Sequence, residues 1–514
     1  MQINPITRTD YPDPDVIRVG DTYYMVSTTM YFYPGGAILR SYDLKNWEIA
    51  GYVYDKLDST PEQRLEGNKN SYGKGMWAAS FRYYKGKFYV CFGVQETNKT
   101  YIFSAAQVEG PWEKRTLEGY YHDNSLLLDD DGRAYLVYGC GDIKLVELEP
   151  DLRAVKKDGF SKTLTVDKDN VILRYEGTHL YHIGNKYYLF MIHWPAYGNK
   201  RRTEVCLAAD SLDGVFEGKT IMDDDMGFHN MGVAQGGVVE AVDGRWYAIF
   251  FRDNGSVGRI PVLIPMTWEN EFPVLGVDGK IPEEIDTYNS RPGYEYEPLY
   301  TSDDFCYPTD DEGHCALKKQ WQWNHEPDPR YWSICPEGGL RIRTGKICSN
   351  LTEAVNTLTQ RTMWPGCAAE VSIDASDMKD GDCAGLCALQ GCYGAACISK
   401  EDGRFFLNMV AKNPEEGMRN TNYMPDAISS KIEIQNPNVR FKAVMDFRDL
   451  KDTVEFFYED KGQWIKLGET HKLYYLLDHF TGCRFGLFCY ATKETGGSAV
   501  FKNFQYEDAG AQSA

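Results

Sequence analysis

The sequence carries too little positive charge for a protein that binds polyanions. It contains 55 Lys and Arg against 75 Asp and Glu, which gives a formal net charge of −20. Nucleic-acid phosphates and anionic lipids are bound through basic patches, so this excess of acid repels both. The composition therefore argues against nucleic acids and membrane surfaces as partners.

Long apolar runs are also missing. No stretch approaches the roughly 20 residues that span a bilayer. The first residues, MQINPITRTDYPDPDV, lack the basic and apolar regions of a signal peptide. We therefore expect a cytoplasmic protein with no membrane segment.

Paired cysteine motifs are absent, although the chain has 14 cysteines, eleven of them from Cys306 onward. Cys383, Cys387, Cys392 and Cys397 lack the C-x2-C spacing of zinc sites, and no His is nearby in the sequence. They alternate with small and apolar residues as strand residues do. We interpret them as buried thiols, which fits a reducing compartment.

Helical patterns are scarce, and most of the 514 residues read as short strands and turns. The length exceeds what one core supports, so we expect two or more domains. Aromatic residues make up 14% of the chain, which suits β-structure and sugar-stacking surfaces. One short helix is predicted in DSTPEQRLEG, where Thr60 can cap, Pro61 can start the helix and Gln63 completes a capping box.

Five stretches share a Gly-containing turn, then Tyr, then an apolar run. They are GDTYYMVS, GKFYVCFG, GRAYLVYG, GNKYYLFM and GRWYAIFF, starting at Gly20, Gly86, Gly132, Gly184 and Gly244. Each is typical of a hairpin, and their tyrosines recur at intervals of 46 to 65 residues. Sheet-forming units at this period indicate a propeller or a solenoid.

The repeats bring acids into a common register. Stepping back eleven or twelve positions from the five tyrosines leads to Asp13, Trp77, Asp123, Glu176 and Gln235. Four of these residues are polar and three are acids. A propeller gathers the starts of its innermost strands around one axis, so three carboxylates from distant sequence would meet in one pocket.

Asp13 lies between two prolines in YPDPDVI. Each proline fixes its own φ at about −65°, and Pro14 also biases Asp13 towards extended backbone. We predict that Asp13 is held stiffly at the start of a strand. The alternative is a turn Asp that bonds its own backbone.

The three acids suit hydrolysis of an acetal by inversion. One carboxylate activates water, and a carboxylic acid about 6.5 to 9.5 Å away protonates the leaving oxygen. A third acid nearby raises the pKa of the second through like-charge repulsion. The residues alone leave the order of roles open, and they also leave open that Asp123 is a turn Asp and Glu176 a solvated acid.

At these residues the chain resembles glycoside hydrolase family 43. The matching motifs are YPDPDVI, SYDLKNWE, WAAS, DNSLLLDDDGRAYLVYG, EGTHLY and VGRIPVLIP, followed by SDDF and KKQWQWNHEPD. The resemblance covers nearly the whole chain and implies an all-β fold. It implies a five-bladed β-propeller, which we place over residues 1–293. A stretch rich in Pro, Gly and Tyr between Gly279 and Tyr300 is the candidate linker. The alternating segments that follow lack the Gly-x-x-Tyr hairpin, so we predict a concanavalin-like β-sandwich over residues 302–510.

The resemblance also implies the roles of the acids. Asp13 matches the general base, Asp123 the pKa modulator and Glu176 the general acid. No cofactor is required for this chemistry.

Five further residues are implied to bind substrate. Trp77 and Ala78 match the segment that lines the sugar site, and Arg259 matches an arginine that reaches substrate hydroxyls. Gln235 stands at the position near the propeller axis in the fifth blade, and Phe480 matches an aromatic at the pocket rim. The alternatives are a core Trp, a surface ion pair and a core Phe.

Three positions depart from the family pattern. Ala79 and Asn124 each stand where many members have Pro. Gln235 stands where many members have a His that helps to organise a bound calcium through water. The Gln235 carbonyl is still a hard ligand that suits calcium. The sequence therefore leaves a structural calcium open and assigns no ligands to it.

The resemblance implies activity on arabinofuranosides and xylosides from plant cell walls. We predict an exo-acting α-L-arabinofuranosidase on short oligosaccharides derived from xylan or arabinan, with β-xylosidase activity as the nearest alternative. The sequence leaves the linkage and the oligomeric state open. Two other readings are a retaining fructosidase-type propeller, whose characteristic motifs are absent, and a non-catalytic sugar-binding propeller.

Overall fold

The computed structural model describes residues 4–312, 314–414 and 426–510, which are almost entirely β-structure. Helical segments in these ranges are limited to three-residue 3-10 helices at Gly255–Val257, Pro329–Tyr331, Leu351–Glu353 and Arg448–Leu450. None of the helices in these ranges is long and apolar enough to cross a membrane. The chain forms a five-bladed β-propeller followed by a β-sandwich.

Each propeller blade is a four-stranded antiparallel sheet. Blade 1 contains β1 (Asp15–Val19), β2 (Thr22–Ser27), β4 (Gly35–Ser41) and β5 (Glu48–Tyr54). The short strand β3 (Phe32–Tyr33) lies between β2 and β4 in sequence but belongs to another sheet. Blade 2 contains β6 (Met76–Tyr84), β7 (Lys87–Val94), β8 (Lys99–Ala105) and β9 (Glu113–Glu118). Blade 3 contains β10 (Ser125–Leu128), β11 (Ala134–Tyr138), β12 (Asp142–Leu148) and β13 (Ser161–Val166).

The last two blades follow the same order. Blade 4 contains β14 (Val171–Ile183), β15 (Lys186–Pro195), β16 (Thr203–Ala209) and β17 (Glu217–Met222). Blade 5 contains β18 (Ala234–Glu240), β19 (Trp246–Asp253), β20 (Arg259–Glu269) and β21 (Phe272–Leu275). The first strand of each blade contacts the first strand of the next, and β18 contacts β1, so the ring closes.

The five predicted hairpins are confirmed, and the closed ring decides for a propeller over a solenoid. Each hairpin joins the first two strands of a blade. The glycine in each turn has φ between 62° and 86°, a conformation that other residues adopt only with strain. Between neighbouring blades, buried aromatic and β-branched side chains such as Val26, Phe81, Val90 and Phe103 form a common core. Burying each stabilises the fold by about 1.5–3 kcal/mol.

A buried ion pair fills the propeller axis below the predicted pocket. Nη1 of Arg82 donates to Oδ2 of Asp15 at 2.7 Å, and Nη2 donates to the Ser125 hydroxyl at 2.9 Å. The Tyr181 hydroxyl donates to the other Asp15 oxygen, and its ring lies 4.8 Å from the guanidinium. Burial raises the pKa of Asp15, but Arg82 and His179 together lower it by more, so the net shift of the pKa is downward.

The sandwich consists of two mainly antiparallel sheets. One contains β3, β22 (Gln322–Asn324), β25 (Leu358–Arg361), β35 (Arg484–Ala491), β27 (Asp382–Leu389), β28 (Gly394–Glu401), β29 (Arg404–Ala411) and β30 (Ala427–Ile434). The other contains β23 (Trp332–Ile334), β24 (Leu340–Arg343), β36 (Ser498–Asp508), β26 (Gly366–Asp374), β31 (Asn438–Asp446), β32 (Thr453–Asp460), β33 (Gln463–Lys466) and β34 (His471–Lys472).

The two domains share structure as well as surface. Strand β3 of the propeller pairs with β22, with Tyr33 opposite Trp323, and so extends a sandwich sheet. Val257 and Ile260 of the propeller belong to the sandwich core. The sandwich is therefore fixed against the propeller by a strand and by buried apolar contacts.

The predicted helix after residue 59 is wrong. Residues 61–65 form turns, although the Thr60 hydroxyl accepts the Gln63 N–H at 3.1 Å as the capping pattern predicted. Ser59 and Leu65 have φ of 51° and 52°, and a left-handed residue at each end stops helical propagation.

The predicted buried thiols are confirmed. Cys383, Cys387, Cys392 and Cys397 are all buried, and all 14 cysteines are unpaired.

Candidate active site

The three predicted acids meet at one end of the propeller axis. Asp13 lies two residues before the start of β1, Asp123 lies two residues before the start of β10, and Glu176 lies within β14. Their charges affect one another, because Glu176 and Asp13 both raise the pKa of Asp123. The structure therefore brings together carboxylates that are 53 to 163 residues apart in sequence.

The predicted extended backbone at Asp13 is wrong, because its φ is 51°. Asp123 and Gln235, which share its register, also have left-handed φ values of 44° and 58°. Such a residue costs about 1–3 kcal/mol and persists only when its surroundings hold it. Asp tolerates this region better than most residues, and the side-chain contacts of Asp13 outweigh the bias from Pro14.

Both carboxylate oxygens of Asp13 are held. Oδ1 accepts from Nη1 of Arg259 at 2.6 Å, and Oδ2 accepts from the Thr28 hydroxyl at 2.7 Å. The side chain is only 5% exposed. This arrangement fixes the direction in which Asp13 faces the pocket.

Arg259 is buried, and two of its guanidinium nitrogens are available to bind a substrate. Burial lowers its pKa, but the charge of Asp13 outweighs burial and the net shift is upward, so the guanidinium stays charged. Nε and Nη2 make no hydrogen bond of normal geometry within the described residues, and the Tyr475 hydroxyl is nearby. The guanidinium lies 4.6 Å from the Phe480 ring and 5.0 Å from the Phe251 ring.

Asp123 is tied to the strand that carries Glu176. Its Oδ2 accepts the Gly177 N–H at 3.0 Å, and its backbone carbonyl accepts the Thr178 hydroxyl at 2.6 Å. Oδ1 has no partner among the described residues. Burial, followed by the charges of Glu176 and Asp13, raises the pKa of Asp123 to about 6, although His122 opposes the shift.

Glu176 is the most accessible of the three acids. Its side chain is 19% exposed, against 5% for Asp13 and 6% for Asp123. Its Oε2 lies 3.2 Å from Nε2 of His122. A proton on Glu176 can therefore reach a bound molecule more readily than one on Asp123.

The sequence reasoning missed several residues of the site, among them His122, Arg202 and Thr28, whose hydroxyl holds Asp13. His122 is one position before Asp123, and a check of the neighbours of each aligned acid would have found it. Arg202 lies on the loop before β16, outside the strand-start register, and pairs with Asp253. Burial, followed by the charge of Arg259, lowers the pKa of Arg202 to about 10.

Aromatic side chains from both domains line the pocket. The Trp77 ring lies 5.3 Å from the Phe480 ring and 6.0 Å from the His122 ring, measured between centroids. Trp77 is half-buried, and Ala78 beside it is buried. Phe480, supplied by the sandwich, thus lies between Trp77 and Arg259.

The surroundings of Gln235 suit a calcium ion poorly. The side chain packs against Gly177, where an added Cβ would meet the Gln235 Cδ at 2.5 Å. Oε2 of the nearby Glu204 accepts the backbone N–H of Gln235, and burial raises the pKa of Glu204 well above its usual range, which disfavours the charged form that would bind a cation. Deeper in the axis, Asp15 is already neutralised by Arg82.

Comparison with known proteins identifies the family. The model for glycosyl hydrolases family 43 matches residues 3–273, and a beta xylosidase C-terminal concanavalin A-like domain matches residues 311–507. The chain is 26% identical to a beta-xylosidase of Formosa agariphila over 565 residues, covering 100% of this chain and 91% of that one. It is 25% identical over 409 residues to the non-reducing end alpha-L-arabinofuranosidase BoGH43B of Bacteroides ovatus, covering 74% and 72%.

A solved structure supports the same assignment. The bifunctional GH43-CE protein of Bacteroides eggerthii superposes with a TM-score of 0.90 at 41% identity, covering 99% of this chain. The chain spans only 64% of the length of that protein. Because the family model covers more than half of the sequence, including all three acids at the propeller axis, the chain belongs to glycosyl hydrolases family 43 and is a glycoside hydrolase.

Proposed function

We propose that the protein is an inverting, exo-acting glycosidase that releases terminal α-L-arabinofuranosyl residues from short oligosaccharides derived from xylan or arabinan. β-D-Xylosyl release is the second activity. The observation that carries the proposal is that the three acids have different surroundings. Hydrogen bonds fix Asp13, Asp123 is tethered to the strand that carries Glu176, and Glu176 is the most accessible.

Asp13 is proposed as the general base. Its carboxylate is held by Arg259 and Thr28 in one orientation, so it can accept a proton from a water molecule that attacks the anomeric carbon. Arg259 keeps unpaired donors beside Asp13, and these can bind sugar hydroxyls next to the attacking water. Removal of the 2.6 Å hydrogen bond from Nη1 of Arg259 to Oδ1 of Asp13 would leave both side chains misaligned.

Glu176 is proposed as the general acid that protonates the leaving oxygen. Asp123 is proposed to position it, because Asp123 binds the N–H of Gly177 and the hydroxyl of Thr178, the two residues that follow Glu176. Asp123 also fills the proposed role of pKa modulator. The proposed base, modulator and acid are therefore the same three residues to which the family motifs assign these roles.

The shape of the site supports exo-action on short chains. The Phe480 and Trp77 rings lie in contact at one side of the pocket, and we propose that they limit it to a terminal sugar. Beside Trp77, a cleft of about 810 Å³ lies between the domains and is lined by amides such as Asn70 and Asn350. Such side chains suit the hydroxyls of a leaving oligosaccharide, so we propose that this cleft accepts it.

The two pentoses are both proposed because the relatives divide between them. The Formosa agariphila protein carries the name beta-xylosidase and the Bacteroides ovatus protein the name alpha-L-arabinofuranosidase. Family membership, by contrast, argues against the fructosidase and non-catalytic alternatives.

The test is a substrate screen with purified protein. We expect hydrolysis of 4-nitrophenyl α-L-arabinofuranoside or β-D-xyloside, and release of single pentoses from the ends of arabino- and xylo-oligosaccharides. Internal cleavage products from xylan or arabinan, or no turnover of either pentoside, would contradict the proposal.

A further inference from the structure

We propose that His122 and Glu176 share one transferable proton, and that His122 returns a proton to the general acid after each turnover. This inference rests on the proposed role of Glu176 as the acid. Nε2 of His122 lies 3.2 Å from Oε2 of Glu176. On the other side of the ring, Nδ1 lies 2.9 Å from the Tyr120 hydroxyl.

Acidic groups surround the imidazole from several elements. Nε2 of His122 also lies 3.8 Å from Oδ2 of Asp123, and the charge of Asp13 reaches it from the start of β1. The charge of Asp123, together with the hydrogen bond to Glu176, raises the pKa of His122 to about 9 against the opposing effect of burial. The titratable and charged groups that face the pair are Asp13, Tyr120, Asp123, Cys140 and Arg202.

The chemistry requires such a supply of protons. In each turnover the Glu176 O–H bond breaks, its proton moves to the leaving oxygen, and the bond between that oxygen and the anomeric carbon breaks. Water supplies the new oxygen on the sugar and gives one proton to Asp13. Glu176 is then a carboxylate and Asp13 is protonated, so each must exchange a proton before the next turnover.

His122 lies where it can complete the exchange on the acid side. The proton on Nε2 of the imidazolium moves to Oε2 of Glu176, while Nδ1 keeps its proton and donates it in a hydrogen bond to the Tyr120 hydroxyl. The neutral imidazole then takes a proton from solvent at Nε2, which is possible because the His122 side chain is 26% exposed. Asp13 releases its proton to solvent, so the protons balance over one cycle. The pair then retains one transferable proton through neutral pH and loses it only as the pH approaches about 9.

The experiment compares pH profiles of kcat/KM for the wild type and His122→Gln. Two substrates are used: a pentose oligosaccharide, whose leaving group needs protonation, and a dinitrophenyl pentoside, whose leaving group does not. With the oligosaccharide, we expect the alkaline limb of His122→Gln to move to lower pH by about one unit or more, and kcat to fall about 10-fold or more. With the aryl substrate, kcat is expected to stay within about 3-fold.

Tyr120→Phe serves as the milder variant because it removes only the outer hydrogen bond. We expect a fall in kcat on the oligosaccharide at unchanged KM, with the aryl substrate unaffected. In the wild type, NMR titration of the His122 ring should show a pKa near 9.

Two results would overturn the inference. One is an equal loss on both substrates with an unmoved alkaline limb in folded His122→Gln, which describes a purely structural His. The other is a wild-type His122 pKa below 7. A wild type that hydrolyses neither pentoside would instead refute the proposed function, so the two failures are distinguishable.

Discussion

At the scale of single residues, the site depends on three carboxyls that differ in their surroundings rather than in their chemistry. Arg259 and Thr28 hold both oxygens of Asp13, whereas one oxygen of Asp123 has no partner among the described residues. Glu176 is the most accessible. Environment therefore assigns the roles, because paired, buried and exposed carboxyls differ in how readily they hold a proton.

Substitution of the two proposed catalytic acids should separate their roles. Glu176→Gln is expected to lower kcat/KM on natural arabinosides by about 100-fold or more but to spare dinitrophenyl substrates, since a good leaving group needs no acid. Asp13→Asn should reduce turnover of both substrates by about 100-fold or more, because water activation is needed in either case. Steady-state kinetics on the two substrates checks this, and equal losses in Glu176→Gln would remove its assignment as the acid.

Asp123→Asn should stabilise the protein while it lowers activity. The pKa of Asp123 is raised to about 6, so its ionisation costs stability as the pH rises from about 4 through 6. The amide removes this cost, which is about 1–3 kcal/mol for a shift of this size. Thermal unfolding should therefore show a higher Tm for the variant at pH 7 and no difference near pH 4, and a lower Tm at pH 7 would show that the charge itself is stabilising.

Residue-level prediction succeeded where the register of the repeats was informative. It led to Asp13, Asp123 and Glu176, which meet in the structure. It gave the wrong backbone at Asp13, because Pro14 acts locally while the bonds to Arg259 and Thr28 come from residues distant in sequence. Arg202 was out of reach for the same reason, since a loop residue outside the register gives no periodic signal.

At the scale of elements, the first strand of each blade determines both the axis and the site. The five glycine turns predicted these hairpins correctly, because the turn chemistry and the alternating apolar pattern agree within a few residues. The short helix failed because two left-handed residues flank it, and nothing in the capping pattern encodes them. The Arg82–Asp15 pair was not predicted either, since it joins β1 and β6, which belong to neighbouring blades and lie far apart in sequence.

Arg82→Met tests what fills the axis. The variant leaves Asp15 buried without its partner, so we expect a loss of about 3–5 kcal/mol in the free energy of unfolding. The double variant Arg82→Met with Asp15→Asn should recover part of that loss, because no uncompensated charge remains. Denaturant unfolding measures both, and a single variant as stable as the wild type would show that the pair does not support the axis.

At the scale of the whole molecule, the sandwich forms part of the enzyme rather than a separate unit. Strand β3 completes one of its sheets, and apolar clusters contain residues from both domains, including Phe32 and Tyr72 of the propeller with Phe488 of the sandwich. The N–H of Gly482 donates to Asp10, three residues before the proposed base. The linker between the domains also binds blade 1, with the Tyr294 hydroxyl donating to Glu48.

A chain that ends near Tyr300 should therefore lose both stability and activity, since it exposes the apolar surface that the sandwich covers. As a matched control, Phe480→Ala in the full chain should stay folded and lose activity on small pentosides through a raised KM. Circular dichroism, thermal unfolding and kinetics on both proteins check this. The alternative hypothesis is that the sandwich is an independent carbohydrate-binding module. A truncated propeller with full activity, together with an isolated sandwich that binds insoluble xylan, would support that alternative.

The stereochemistry of the first product tests the central claim most directly. Proton NMR of the anomeric signals, recorded within minutes of adding enzyme to an α-L-arabinofuranoside, should show the β-anomer of arabinose before mutarotation. Inversion is the outcome expected if Asp13 activates water while Glu176 protonates the leaving oxygen. Initial formation of the α-anomer would show retention through a covalent intermediate, and it would contradict the assignment of Asp13 as a general base.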